Sequence, residues 1–408
     1  MVNPAIIIPA FRRFDSLMRL WDTVEKADYP HREITVCVSI DGGGDNRIRE
    51  AVEKIRFSHG QVQIVTRDNN IGLKNHLLWC GDLSEKYGSV IILEDDLVVD
   101  RYFYRFAQET LEKYGELDDI AGVALYSPRY NELARLPFEP MHNGCSGYFM
   151  QSPCSWGQAW TASQWNRFRE FYRNVSPTDI ESAVDLPRNI REWGEASWKK
   201  TFALYMVRTE RYFFYPYVSH STNCAEDHGT NQVKHLDNFQ VPMASQGRDF
   251  EGNILPEWND RKVVYDAFME PISQFLFDQL GVSRNECAID LYGTKESELL
   301  KKKTYALTTR PVRAALRQFP LKFRPIEHNL TIPCIQNQGD RINFAKSSDV
   351  DFSNPKKTHV KLAMYYVTMP LFSSKFVSQF FFHYYLKKKR RKMAAWLNAK
   401  IGLSRFFG

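Results

Sequence analysis

The sequence predicts an α/β fold in which a mostly parallel sheet is flanked by helices. Short apolar runs recur at even spacing in the first hundred residues, beginning at positions 5, 34, 62 and 90. Stretches with helical periodicity lie between them, and the runs are apolar on both faces, as in strands that helices cover on each side. Right-handed crossovers would bring the carboxyl ends of these strands to one edge, where such sheets bind ligands.

Each element follows from its own residues. The four runs predicted as strands are Ala5–Ile8, Ile34–Val38, Val62–Val65 and Val90–Leu93. Between the first two, Leu17, Leu20, Trp21 and Val24 share one face of a predicted helix, and Leu73, Leu77 and Leu78 do the same before the fourth. The segments that follow the strands are polar or charged: Pro9–Arg13, Asp41–Gly43, Arg67–Gly72 and Glu94–Asp96. The first three are also ordinary turn sequences.

The acidic triplet Glu94-Asp95-Asp96 is more informative, because apolar sequence on both sides draws it toward the core. Adjacent carboxylates in a poorly solvated place repel one another and lose hydration, which costs several kcal/mol unless something compensates. A divalent metal with a diphosphate would do so, and carboxylate oxygens suit Mn²⁺ or Mg²⁺. The alternative is a solvated helix start. The strand-end position favours the metal.

The sequence resembles the GT-A fold glycosyltransferases, whose domain is Rossmann-like, and is most similar to family 2 and N-acetylglucosaminyltransferase-I-like bacterial enzymes. The segments that carry the resemblance are Ile6–Arg13, Ser39–Gly42, Asn69–Lys74, Ile92–Asp96, Ser155–Trp160 and, weakly, Asn223–Thr230. It implies an inverting transfer of a sugar from a nucleotide sugar, with a UDP-sugar favoured, to a glycan or glycolipid acceptor. The triplet would be the variant of the family's D-x-D motif.

The resemblance also implies roles for individual residues. Pro9, Phe11 and Arg13 would line the nucleotide, Asp41 would accept a hydrogen bond from the base, and Asn70 and Lys74 would lie beside the ribose and phosphates. Asp96 would bind the metal, with Glu94 and Asp95 supporting the sugar nucleotide. His228 could complete the metal shell, although a lone histidine is more often structural.

The region after the triplet is rich in aromatic residues, most of which we assign to the core. Trp156 is the exception, because the neighbouring Gly157 is flexible and aromatic side chains commonly line sugar sites. An inverting transfer needs a base. Relatives carry an acidic residue directly after a Ser-Trp pair, but Lys199 stands there in this chain. Glu195 is therefore our first prediction for the base, with Asp185 and Asp227 as alternatives.

Charge is unevenly distributed along the chain. Residues 352–408 contain 12 Lys or Arg and no Asp or Glu, whereas the preceding part carries a net charge of −6. Aromatic stretches beside a basic cluster predict anchoring at an anionic membrane surface rather than nucleic-acid binding. We expect a nucleotide-sugar half at 1–125, an acceptor half at 126–240, an accessory region at 241–351 and a basic, helical tail at 352–408.

The sequence also predicts location. It shows no cleavable secretory signal, no apolar run long enough to span a membrane and no paired cysteine motif, so we expect a cytoplasmic protein on the inner face of the plasma membrane. A sugar-nucleotide nucleotidyltransferase is the alternative enzyme, but no glycine-rich phosphate loop follows the first strand. A catalytically silent sugar-nucleotide-binding protein is the other alternative, which Lys199 would explain.

Overall fold

A computed structural model describes residues 2–224, 239–243, 252–259, 262–332 and 339–366 of the 408-residue chain. The chain forms one compact unit from Met1 to Leu362 and a second from Ala363 to Gly408. Asp227 and His228 lie outside the described residues, as does most of the basic tail.

The elements up to Asn131 form the part of the chain that carries the predicted strand ends. The strands are β1 (Ala5–Ala10), β2 (Ile34–Ile40), β3 (Gly60–Thr66), β4 (Ser89–Ile92), β5 (Leu97–Val99), β6 (Ile120–Ala124) and β7 (Tyr130–Asn131). The helices are α1 (Phe14–Glu25), α2 (Asn46–Val52), α3 (Gly72–Asp82), α4 (Ser84–Tyr87) and α5 (Phe103–Tyr114).

The remaining elements are shorter and more mixed. The strands are β8 (Leu136–Pro137), β9 (Gly147–Met150), β10 (Gln158–Thr161), β11 (Tyr212–Pro216), β12 (Ser221–Asn223), β13 (Val264–Tyr265), β14 (Cys287–Asp290), β15 (Tyr305–Thr308), β16 (Arg317–Pro320) and β17 (Arg341–Lys346). The helices are α6 (Ala162–Arg173), α7 (Pro177–Glu181), α8 (Arg188–Arg191), α9 (Lys199–Arg208), α10 (Gln274–Leu280), α11 (Ser297–Lys301), α12 (His328–Thr331) and α13 (Pro355–Tyr366).

A nine-stranded sheet forms the centre of the fold, in the order β13-β9-β11-β6-β10-β4-β1-β2-β3. Strands β4, β1, β2 and β3 are mutually parallel, and the antiparallel neighbours all involve β9 or β10. Both β1 and β4 are completely buried, as expected for strands covered on each face. The predicted α/β fold with a mostly parallel sheet flanked by helices is therefore confirmed.

The third predicted strand differs from the expectation that all four are apolar on both faces. Strand β3 lies at the edge of the sheet and is largely exposed or half-buried. Its polar residues Gln61 and Gln63 suit that position, because an edge strand has a neighbour on one side only.

The accessory region contributes to two sheets. Strand β13 joins the edge of the central sheet, while β14, β15, β17 and β16 form a four-stranded sheet of their own. Phe352, the first residue of the predicted tail, packs against a buried cluster that includes Ala288 and Val350, and Leu362 is fully buried. The compact unit thus extends beyond residue 352. No helix within the described ranges is long and apolar enough to cross a bilayer.

Candidate functional site

In the strand order β3-β2-β1-β4, the chain runs from β1 outward to β2 and β3 and then returns to place β4 on the other side of β1. The order of the strands therefore reverses between β1 and β4. Chain connections leave to opposite sides at such a point, so a crevice opens at the carboxyl ends of these two strands. The segments that emerge there are the one containing Arg13, after β1, and the acidic triplet, after β4. The sequence predicted both segments at this edge.

Arg13 joins the two segments directly. Its guanidinium donates to Oδ2 of Asp96 at 2.6 Å and also to Oδ1 of Asp95. Both aspartates are buried, and the arginine side chain is 23% exposed. Burial lowers the pKa of Arg13, but attraction to the two carboxylates outweighs it and raises the pKa. The chain's own arginine therefore supplies part of the positive charge that the triplet requires.

Glu94, the first residue of the triplet, is half-buried. Burial and the neighbouring Asp96 raise the pKa of Glu94 to about 8, while the positive charges of Lys199 and Arg13 oppose the rise. Lys199, the first residue of α9, is 105 positions away in sequence, yet its positive charge acts on Glu94. The carboxyl of Glu94 is consequently available as a hydrogen-bond donor near neutral pH.

The loops after the first three strands touch one another through glycines. A Cβ on Gly44 would lie 2.1 Å from the carbonyl oxygen of Phe11, and one on Gly42 would lie 2.2 Å from the backbone of Asn69. Such distances leave no room for a side chain, so glycine is required at both positions. The close approach gathers the three loops along one edge of the sheet.

Asp41 holds this arrangement together. Its Oδ1 accepts from the backbone N–H groups of Gly42 and Ile71, both at 3.0 Å, and its Oδ2 accepts from Gly72 at 3.3 Å. The buried carboxylate thus fixes the loop that leads into α3. Its predicted contact with a nucleotide base stays a prediction.

The other predicted nucleotide-binding residues lie along the same loops. Pro9 is buried within β1, whereas Phe11 is half-buried beyond the strand end. Asn70 is exposed, and its Oδ1 accepts from Gly72 at 2.8 Å. The ammonium of Lys74, in the first turn of α3, lies 5.6 Å from the ring centre of Tyr172. The structure therefore brings Arg13, Asp41 and Asn70 to one edge, and their binding roles are not tested by it.

A two-stranded ribbon borders the triplet on its other side. Strand β5, which follows the triplet, pairs with β12, and the N–H of Cys224 donates to the carbonyl oxygen of Asp96 at 2.9 Å. Asn223, at the end of β12, is buried, and its Oδ1 has no hydrogen-bond partner among the described residues. The hydrogen bond of Cys224 joins the backbone of the ribbon to the last residue of the triplet.

An aromatic cavity of about 700 Å³, open to solvent, lies next to the start of α9. Trp156 lines it, as do Tyr130, Asn189, Trp193 and Lys199. The ring of Trp156 is held by edge contacts with Tyr126 at 4.8 Å, while the larger aromatic cluster around Trp160 and Trp165 belongs to the core. Most of the aromatic residues that we assigned to the core are buried, whereas Trp156 is half-buried. Its predicted contact with a sugar stays a prediction.

The candidate bases lie in different places. Glu195 is exposed in the loop between Trp193 and Lys199 and does not itself line the aromatic cavity. Asp185 forms an ion pair with Arg208 at 3.3 Å and lines a second cavity with Asp266 and Lys295, so the structure does not bring it to Trp156. Asp227 is outside the described residues.

Sequence reasoning missed several polar residues near these loops. The hydroxyl of Ser39, two residues before Asp41, is hydrogen-bonded to Nε2 of His76 at 2.7 Å and accepts a hydrogen bond from Arg67 at 2.8 Å. Glu132 and Asn189 line the aromatic cavity, and Oδ1 of Asn189 has no partner within the described ranges. Neither carried a signal in sequence, because Glu132 lies in a turn and Asn189 in the short helix α8, and neither belongs to a motif.

The fit of a divalent metal can be judged from the donor atoms. Asp95 and Asp96 offer buried carboxylate oxygens. Within the described residues, no cluster of three or more His, Cys, Asp or Glu side chains is arranged to hold a metal ion. These donors fit a magnesium-like ion that takes its remaining ligands from substrate phosphates and water.

Comparisons with known proteins give structural likeness only. No family model and no curated protein matches the chain. S. aureus TarS 1-349 is 13% identical, with a TM-score of 0.36, over 54% of this chain and 60% of that one. The structure of TarS 1-349 in complex with UDP-GlcNAc is 12% identical, with a TM-score of 0.37, over 56% of this chain and 60% of that one. GalNAc-T7 with UDP, GalNAc and Mn²⁺ is 13% identical, with a TM-score of 0.36, over 53% of this chain and 42% of that one. TM-scores this low do not establish a family.

Proposed function

We propose that this protein is a glycosyltransferase that moves a sugar from a nucleotide-sugar donor to a saccharide acceptor. The observation that carries the proposal is the hydrogen bonding of Arg13 to Asp95 and Asp96 between the ends of β1 and β4, where the strand order reverses. The fold also has an aromatic cavity at the start of α9. The crevice supplies a place for a nucleotide diphosphate, and the cavity supplies flat faces for sugar rings.

The donor is expected to lie along the three strand-end loops. Phe11, Asp41 and Asn70 lie at one edge, as a nucleoside requires, and Arg13 offers a guanidinium that recognises phosphate oxygens well. A UDP-sugar remains the favoured donor from the sequence resemblance.

Mn²⁺ or Mg²⁺ is part of the proposal, because a diphosphate adds negative charge to an already acidic cluster. Asp96 would hold the ion, with Asp95 beside it, and a bound ion would neutralise charge on the departing diphosphate. Arg13 contributes positive charge from the chain itself.

The transfer would proceed by a single displacement with inversion. An acceptor hydroxyl oxygen bonds to the anomeric carbon, the bond from that carbon to the diphosphate oxygen breaks, and the hydroxyl proton passes to a carboxylate base. Glu195 remains the proposed base, since it lies between the cavity residues Trp193 and Lys199 in the chain. Glu132 is the carboxylate that lines the cavity and is the natural comparison.

The experiment is a screen of nucleotide sugars with the full-length protein. Thermal stabilisation reports binding, because a ligand that binds the native state raises apparent stability. Release of nucleoside diphosphate with and without Mn²⁺ reports chemistry. Thermal stabilisation together with release of nucleoside diphosphate supports a transferase. Stabilisation without release of the diphosphate, whichever acceptors are added, indicates a catalytically silent binding protein. The proposal is contradicted if no nucleotide sugar stabilises the protein.

A further inference from the structure

Lys199 is a half-buried lysine without an ionic partner in the described part of the chain. It is the first residue of α9, and no hydrogen bond or salt bridge to its ammonium is found among the described residues. Its neighbours are two indole rings: Nζ lies 4.8 Å from the ring centre of Trp193 and 5.6 Å from that of Trp156. Aromatic faces attract a cation but leave its hydrogen-bonding capacity unused.

The two indole rings hold this ammonium in a fixed place. Trp193 packs against a buried apolar cluster that includes Ile190 and Leu204, and Trp156 is fixed by Tyr126 and by its carbonyl oxygen, which accepts from Ser221 at 2.6 Å. A positive charge positioned in this way can recognise an anionic group with little further ordering of the protein.

The cavity around Lys199 is distinct from the donor loops. All three residues, Lys199, Trp193 and Trp156, line the aromatic cavity, whereas Arg13, Asp41 and Asn70 do not. The remaining lining offers further sugar-binding features, since Tyr130 presents an aromatic ring and Asn189 an acceptor oxygen without a partner in the described ranges. An anionic group on a molecule that fills this cavity would therefore meet the ammonium of Lys199.

We propose that Lys199 binds an anionic group of the acceptor, so that the acceptor is an acidic saccharide bearing a carboxylate or a phosphate close to the hydroxyl that is glycosylated. This inference rests on the proposed function, because it takes the aromatic cavity as the acceptor site. Charge-assisted hydrogen bonds from the ammonium to the anion would select acidic over neutral sugars.

The test uses the full-length protein and simple probes. Dissociation constants are measured by NMR titration for methyl glucuronide, glucose 6-phosphate and the neutral methyl glucoside. The variants are Lys199→Met, which keeps the length and apolar stem, and Lys199→Arg, which keeps the charge. Lys26→Met, at the exposed residue that follows α1, is the control. UDP binding is measured on each protein in parallel.

We expect the wild type to bind at least one acidic probe about tenfold more tightly than the neutral glycoside. Lys199→Met should lose this preference, while Lys199→Arg and Lys26→Met keep it, and UDP binding should be the same in all four. A preference for the glucuronide points to a carboxylate, and one for the phosphate ester points to a phosphorylated acceptor.

Two results would overturn the inference. Equal binding of acidic and neutral probes by the wild type would show that the cavity does not select charge. Loss of UDP binding in Lys199→Met would assign the ammonium to the donor diphosphate instead. Absence of UDP binding in the wild type itself would count against the proposed function, and the sugar titrations would still report separately on charge selection in the cavity.

Discussion

The guanidinium of Arg13 lies 2.6 Å from Oδ2 of Asp96 and thereby joins the segment after β1 to the segment after β4. These strands are neighbours in the sheet, but their loops are 83 positions apart in sequence. Two buried aspartates side by side would repel each other without this arginine. The ion pair therefore shapes the crevice in which we propose that the donor diphosphate binds.

Replacing Arg13 by methionine should lower the free energy of unfolding by about 2 kcal/mol, because two buried carboxylates lose their positive partner. Urea unfolding at neutral pH measures the effect. Arg12→Met is the matched control, since Arg12 is exposed and next in sequence. Equal unfolding midpoints for the two variants would show that the ion pair contributes nothing to stability.

The pH dependence of stability should report on His76. Burial lowers the pKa of His76 to about 4, and the positive charge of Arg67 adds to the effect. The unfolded chain, in which histidine has a pKa of about 6.5, therefore binds more protons between these values. Protonation of His76 should therefore contribute a fall of about 2 kcal/mol to the free energy of unfolding between pH 7 and about 4.5, while the raised pKa of Glu94 contributes a rise over the same range.

Substitution tests this assignment. His76→Gln keeps an amide that can bond Ser39 but cannot titrate in this range, so its free energy of unfolding relative to that of the wild type should be about 2 kcal/mol more favourable at pH 4.5 than at pH 7. His359→Gln, at an exposed position of α13, should behave as the wild type. The same pH dependence in all three proteins would remove His76 as its source.

Much of the fold could be predicted because apolar runs on both faces identify buried parallel strands, as in β1 and β4. The pairing of Arg13 with the triplet could not be predicted, since it depends on strand order and on how the two loops turn. Asp41 was identified as important, yet its contacts with Ile71 and Gly72 need the third loop in place. Lys199 stood out in sequence only as a departure from the family pattern, and its two aromatic neighbours, Trp156 and Trp193, come from two separate segments.

The identity of the base can be tested with isosteric amides. Glu195→Gln should leave donor binding unchanged and reduce transfer by about 100-fold or more, because proton removal is lost while the shape of the site remains. Glu132→Gln, in the cavity lining, should reduce transfer less. Turnover rates with saturating donor measure both. The reverse order of effects would move the base to Glu132.

The C-terminal segment can be tested by truncation after Tyr366, the end of α13, since the compact unit extends to Leu362. The segment removed contains the basic cluster 387–392. Each basic residue near an anionic leaflet contributes about 1 kcal/mol, so the full chain should sediment with anionic vesicles in a salt-sensitive way and the truncated chain should not. Equal sedimentation of both forms would rule out an electrostatic anchor in this segment.

The most direct test of the account is calorimetric titration of UDP into the wild type and Asp96→Ala, each with Mn²⁺ and with a chelator, and with Asp22→Ala as an exposed control. We predict that the wild type and the control bind UDP in the presence of Mn²⁺, and that both the chelator and Asp96→Ala weaken binding by about tenfold or more. A wild type that does not bind UDP, or an Asp96→Ala variant that binds it as tightly as the wild type under both conditions, would contradict the assignment of the donor site to the crevice between β1 and β4.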